Sequence, residues 1–304
     1  EIRRVHGAIS CAGGLRLARM CPDNIPRDDI MTRRFAVSIA LTLLLAGCGD
    51  NPAPVTAVAN PAPSSLASTE FRKGIEFSDK EDWDTAVACY TEAIRLEPNA
   101  PAYYNNRGNA YDEKGEYDAA IKDFSEAIRL KPDYAKAYNN RGISYSKKSE
   151  YDAAIKDFSK AIRLKPDEAD AYHDRGIAYR KKSEYDKAIK DYTEAIRLKP
   201  GNPKTYYNRG ISNEEKGEYD KAIKDYTEAI RLRPDYANAY INRGISYSKK
   251  NEFDKTITDF SEAIRLKPGD ADTYHNRGIA YREKGDQAKA DADFAKAKEF
   301  EAKK

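Results

Sequence analysis

The chain has 304 residues, 34% of them charged and 40% hydrophobic, and its 53 Lys and Arg against 50 Asp and Glu leave a formal net charge of +3. That balance lacks the concentrated basic face that nucleic-acid binding requires, and the scarcity of long apolar stretches excludes a multi-span membrane protein. Four cysteines, Cys11, Cys21, Cys48 and Cys89, show neither CxxC spacing nor a disulfide framework.

Residues 1–30 lie ahead of Met31 and carry no helical or strand period. They read as an unstructured, over-extended start of the gene or part of a removed presequence, so His6, Cys11 and Cys21 carry no functional weight. Residues 31–47 have the parts of an export signal: basic Arg33 and Arg34, an apolar run from Phe35 to Ala46, then small residues. The run is short of the roughly 20 residues a spanning helix needs. Leu45-Ala46-Gly47-Cys48 resembles the lipobox of bacterial lipoproteins. The resemblance implies removal of the preceding peptide and a diacylglycerol on Cys48, which becomes the new N-terminus. An ordinary secretory signal cut nearby is the alternative, and a twin-arginine route lacks the rest of its pattern. Gly49, where an aspartate would favour inner-membrane retention in that family, implies a periplasm-facing anchor in the outer membrane. Residues 48–66 then form a tether, since Asn51 to Ser68 is rich in Pro, Ala and Ser and reads as semi-extended.

From Ala67 onward a 34-residue period runs to Lys304. The units are 67–100, 101–134, 135–168, 169–202, 203–236, 237–270 and 271–304, and a period of this length marks a solenoid. With Pro101 as position 1, Tyr104, Gly108 and Tyr111 recur at three- and four-residue spacing, one face of a helix. Ala120, Phe124 and Ala127 do the same on a second helix. Gly115 is placed to end the first helix, Asp118 to cap or charge the start of the second, and Pro132 to stop it.

This pattern resembles the tetratricopeptide repeat, W-x2-L-G-x2-Y…A-x3-F…P. The resemblance implies an all-α, right-handed superhelical solenoid of seven helix-turn-helix repeats, about four-fifths of the chain.

Because the units align with one another, departures from the family pattern can be read within this chain. Position 7, normally apolar, is Arg107, Arg141, Arg175, Arg209, Arg243 and Arg277, while position 23 is Asp123, Asp157, Asp191, Asp225, Asp259 and Asp293. The first unit has Lys73 and Cys89 instead, so both positions change together. We expect structural Arg–Asp ion pairs within units, because pairing with the next unit's Arg would strand Arg107 and Asp293. Asp291 and Lys298 replace apolar residues of earlier units, as expected of a unit that caps the array.

In the family the first helices line the concave surface, at positions 2, 5, 6, 9, 12 and 13. Position 6 is Asn106, Asn140, Asp174, Asn208, Asn242 and Asn276, and position 5 includes Asn105, Asn139, His173, Tyr207, Ile241 and His275. A column of carboxamides can donate to and accept from an extended peptide backbone, and this one resembles the asparagine ladder of the O-linked N-acetylglucosamine transferases. These are the candidate partner-binding residues, except Ile241. The competing reading is a framework motif copied by duplication. Position 9 is mostly Ile. Charges of both signs line the groove, among them Asp112, Glu113, Glu214, Glu215 and Glu283 with Lys147, Arg180, Lys181, Lys249 and Arg282; a solvated helix face is the other reading of them. Chaperone-tail clamps of this family need lysines that are absent here.

No Cys, Ser or Thr nucleophile stands beside a His in a recognisable spacing, and His173 and His275 lie three units apart, too far to share a metal. The chain is therefore expected to be no enzyme and to need no cofactor or metal. The expected function is a protein-interaction scaffold, lipid-anchored in the cell envelope, that holds a protein or peptide in its concave groove. The alternatives are a structural spacer or self-associating array, or a cytoplasmic adaptor if the signal is misread.

Overall fold

The computed structural model describes residues 63–302. The upstream segment 1–30, the export signal 31–47, and Cys48 with the tether up to residue 62 lie outside the described residues.

Fourteen helices follow one another among the described residues, and no strand. They are α1 Pro63–Ser78, α2 Trp83–Leu96, α3 Pro101–Glu113, α4 Tyr117–Leu130, α5 Ala135–Lys147, α6 Tyr151–Leu164 and α7 Ala169–Lys181. The second half comprises α8 Tyr185–Leu198, α9 Pro203–Glu215, α10 Tyr219–Leu232, α11 Ala237–Lys249, α12 Phe253–Leu266, α13 Ala271–Glu283 and α14 Gln287–Glu301. The first helix starts at Pro63, ahead of the expected array boundary at Ala67, so Pro63–Leu66 belong to the array and not to the tether. Proline is tolerated in a helix's first turn, where its missing N–H would have had no partner.

Each helix packs against its chain neighbours within and between units, and of helices two apart it is the odd-numbered ones that meet: α1 with α3, α3 with α5, and so on to α9 with α11. Their closer approach makes the odd helices the inner, concave wall and the even helices the outer one. No single core exists; instead a local core repeats. Ala120, Phe124 and Ala127 are fully buried, as are their counterparts Ala188, Tyr192 and Ala195 to within 2%. Gly108 is required by this packing, since a Cβ there would lie 2.7 Å from Phe124 Cε1. The glycine makes room for the ring of the paired helix, as Gly176 does for Tyr192.

The turn between the helices of a unit needs one left-handed residue. Gly115, Gly217 and Gly285 supply it at φ 75 to 81°, but Glu81, Ser149, Ser183 and Asn251 are forced into it at φ 59 to 63°. Asp118, expected at the start of the second helix, makes no cap bond there; it lies in the first turn and meets Lys148 of the next unit at 2.6 Å. Among the second helices, side-chain caps occur in the first and last units, where Asp82 and Asp286 accept from Thr85 N and Lys289 N; among the first helices Asn202 caps α9, accepting from Lys204 N.

Two charged ladders hold the units in register. Arg107 Nε donates to Asp123 Oδ2 at 2.7 Å and its Nη2 to Oδ1 at 2.9 Å. The same fork joins Arg141 to Asp157, Arg175 to Asp191, Arg209 to Asp225, Arg243 to Asp259 and Arg277 to Asp293, at 2.6 to 2.8 Å. All six aspartates are 4–6% exposed. The third guanidinium nitrogen, Nη1, crosses to the preceding unit and donates at 2.9–3.0 Å to Thr91, Ser125, Ser159, Thr193, Thr227 and Ser261 in turn. Each arginine therefore closes its own unit and couples it to the one before. In the first unit Lys73 turns to Glu70 at 2.7 Å instead.

On the outside, Lys114 meets Asp84 of the preceding unit at 2.7 Å, and Lys148, Lys182, Lys216, Lys250 and Lys284 repeat the contact with Asp118, Asp152, Asp186, Asp220 and Asp254. The hydrogen bonds that the Lys114 ammonium donates to Asp84 and Glu116 raise its pKa above the ordinary lysine value. These aspartates are solvent-exposed, so the contacts are salt-screened and set register more than stability. The last unit carries Ala288 and Ala295 where its predecessors have the Asp and Ser/Thr acceptors.

Candidate peptide-binding surface

The inner wall is built from α3, α5, α7, α9, α11 and α13, and the carboxamide column lies along it. Its members divide into two groups. Asn105, Tyr207, Asn208 and Asn276 are buried, at 0, 2, 6 and 4% exposure, whereas Asn106, Asn139, Asn140, His173, Asp174, Asn242 and His275 are half-buried.

Several of these side chains join neighbouring units. Asn140 Nδ2 donates to Asn105 Oδ1 at 3.1 Å and Asn109 Oδ1 at 2.9 Å. Asn242 Nδ2 donates to the Tyr207 hydroxyl at 3.1 Å, and His173 Nδ1 shares a 2.9 Å hydrogen bond with Thr205 Oγ1. Asn106 Nδ2 returns to Ala102 O of its own helix at 2.8 Å. A large part of the column's bonding capacity is thus used to fasten units together.

What is left over is mainly acceptor capacity. Asn139 Oδ1, Asn208 Oδ1 and Asn276 Oδ1 are buried with no hydrogen-bond partner, against one orphan carboxamide donor, Asn105 Nδ2. A buried polar atom without a partner costs about 1–3 kcal/mol, which an incoming donor would recover.

His173 is held neutral. Its ring lies 5.7 Å from that of Tyr192, and burial, reinforced by Lys204, Arg180 and Lys199, lowers its pKa from the ordinary 6.5 to about 4. Burial likewise pushes the Tyr207 hydroxyl well above its usual value, so it stays protonated. Beside them Arg180 Nε and Nη2 are buried without a good partner, and the Tyr192 hydroxyl lies near that guanidinium without a well-formed hydrogen bond.

Groove charges are partly engaged as well. Asp112 is 6% exposed, accepts from Ser144 Oγ at 2.8 Å and meets Lys147 Nζ at 2.5 Å. Glu214 accepts the Tyr226 hydroxyl at 2.6 Å. Asp272, on the first turn of α13, is half-buried and has no ion-pair partner among the described residues.

A shallow concavity on the inner wall spans three units and encloses about 20 Å³. Tyr207 of α9, Ile241 and Ile245 of α11, and Asn276 of α13 line it together with Asp270 and Asp272. The repeat alignment places Tyr207, Ile241, Asn242, Ile245 and Asn276 on the concave surface, and Asp272 too at position 2; it does not place Asp270 or Thr273 there. Position 2 also carries Asp170, which meets Lys199 at 3.6 Å, so the residue type alone does not set Asp272 apart. A second, shallow depression beside the turn at Gly285 and Asp286 lies away from this column. Among the described residues no three His, Cys, Asp or Glu side chains gather to hold a metal, and no helix is long and apolar enough to cross a membrane.

Comparison with known sequences and structures agrees with this architecture. The family model described as TPR repeat matches residues 74–113, 108–149, 176–217 and 214–251. Two models described as Tetratricopeptide repeat match residues 135–168 and 237–270, and 158–190 and 260–292. The human small glutamine-rich tetratricopeptide repeat-containing protein beta is 30% identical over 100 residues, and the match spans 32% of the length of that relative and 32% of this chain. The crystal structure of MamA superposes with a TM-score of 0.52 at 30% identity, over 53% of this chain and 95% of MamA. YrrB, described as a TPR protein with an unusual peptide-binding site, superposes with a TM-score of 0.54 at 24% identity, over 61% of this chain and 96% of YrrB, a likeness of fold.

Proposed function

The chain belongs to the tetratricopeptide-repeat family, and we propose that it is a lipid-anchored, extracytoplasmic scaffold that binds a segment of another protein along its inner wall. A protein-interaction scaffold is what the paired-helix solenoid and the matches to tetratricopeptide-repeat models support. The observation that carries the groove assignment is the concavity across α9, α11 and α13, one of whose lining residues, Asn276, has a buried carboxamide oxygen without a partner. A surface inert as a spacer would gain nothing from leaving Asn276 Oδ1 unsatisfied.

The anchor rests on the order basic segment, apolar run, Leu45-Ala46-Gly47-Cys48. The fourteen residues from Gly49 to Ala62 would let α1 start up to ~50 Å from the lipid when fully extended. Cells expressing the full chain are labelled with radioactive palmitate. Label on the wild type that disappears in Cys48→Ser supports the anchor; an unlabelled wild type rules it out and leaves the scaffold without a membrane. For the groove, the full chain and an Ile241→Glu/Ile245→Glu variant of equal helicity are compared in binding a random peptide library. Retention by the wild type alone supports the assignment, and equal retention by both moves binding off the inner wall.

A further inference from the structure

We infer that the three-unit concavity is a subsite for a cationic side chain, lysine or arginine, of the bound segment; this rests on the groove reading above. The concavity is lined by both apolar and acceptor-bearing side chains. Ile241 and Ile245 offer apolar surface of the kind against which lysine and arginine stems pack. Asn276, Asp270 and Asp272 line the same concavity. Asn276 is 4% exposed and its Oδ1 has no partner, so it is a desolvated acceptor that only an N–H or O–H donor can satisfy. Among the described residues Asp272 has no ion-pair partner, and Asp270 accepts the Thr273 hydroxyl and likewise has no ion-pair partner. Among the described residues no lysine or arginine lines the concavity.

Charge complementarity therefore selects the occupant. An acidic segment would place like charges against two aspartates. A purely apolar one would cover Asn276 Oδ1 and leave it unsatisfied. A lysine or arginine meets all three demands: stem on the isoleucines, donors to Asn276, positive charge to Asp272. Elsewhere on the inner wall the charges are paired or mixed, as with Lys147 on Asp112, so the preference is local to α11 and α13 and gives the segment a fixed register.

The test is display of random seven-residue peptides against the immobilised full chain in detergent, followed by binding titrations of one selected peptide. The expected result is enrichment of Lys or Arg at one peptide position, and at least tenfold weaker binding both to Asp272→Asn and when that residue of the peptide is replaced by norleucine. Binding should also weaken as salt rises from about 50 to 200 mM. Selected peptides without Lys or Arg enrichment, or enrichment unchanged in Asp272→Asn, would overturn this inference while leaving the groove reading intact. Failure to select any peptide that the Ile241→Glu/Ile245→Glu variant loses would overturn both. Self-association that Asp272→Lys abolishes, read by light scattering, would make a second copy the occupant and likewise overturn it.

Discussion

Replacing Asp191 by Leu should be among the most damaging single changes in the array. The carboxylate is 4% exposed and holds both prongs of Arg175, at 2.7 and 2.8 Å. Its loss leaves a guanidinium buried without its counter-ion, a condition that costs about 3–5 kcal/mol. Arg175 also donates to Ser159 of the preceding unit at 3.0 Å, so the loss should loosen the contact between the third and fourth units as well as the fourth unit itself. The double change Arg175→Met/Asp191→Leu removes both charges, and because apolar replacements of a buried pair are often neutral, it should recover all but ~1 kcal/mol. Urea unfolding followed by circular dichroism gives the numbers, analysed as a chain of coupled units because a solenoid need not unfold in one step. A loss below ~1 kcal/mol in Asp191→Leu, or a double variant no better than the single, would refute the reasoning that the pair is kept for specificity and is costly only when broken.

Three further outcomes follow from the same geometry. Gly176→Ala sets a Cβ 2.7 Å from Tyr192 Cε1; the usual helical gain of about 1 kcal/mol from removing glycine should be outweighed by overpacking of about 1–3 kcal/mol, so the melting temperature should fall. Ser149→Gly and Ser183→Gly relieve left-handed backbone at φ 63° and 61° and should each stabilise by ~1 kcal/mol in the same unfolding assay. His173 bears on pH. Its folded pKa of about 4 lies below the ordinary 6.5, so on acidification the unfolded chain binds the proton first. Stability is unaffected above about pH 6.5 and falls as the pH drops towards 4, by up to ~3 kcal/mol at about 1.4 kcal/mol per unit; the ring is not wholly enclosed, so less is expected. His173→Gln should flatten that part of the stability profile.

Much of the fold was legible because seven aligned units expose their own rules. The 34-residue period locates the helix pairs, and the joint change to Lys73 and Cys89 marks positions 7 and 23 as interacting. The links between units were not read. The Ser/Thr that receives Arg Nη1 lies 16 residues back, and the Asp that meets each lysine 30 residues back, separations that carry meaning only once the stacking distance is known. Ala288 and Ala295, which replace both acceptors in the last unit, were the available clue. The groove was legible as a set of columns, but burial was not. Whether Asn105 or Asn139 reaches solvent depends on how far each unit rotates against the next, which helical periodicity does not encode. The start of α1 at Pro63 was hidden because Pro-Ser-Ser composition suits a tether as well as the opening turn of a helix.

Contact mapping with a photo-crosslinking amino acid in native cells tests the central claim, that partners bind the inner wall. The residue is placed at Asn238, half-buried on the inner helix α11, or at Lys224, exposed on the outer helix α10. A discrete adduct from position 238 and none from position 224 is the expected result. An adduct from position 224 with none from position 238 would contradict the claim and put the interaction surface on the convex side of the solenoid.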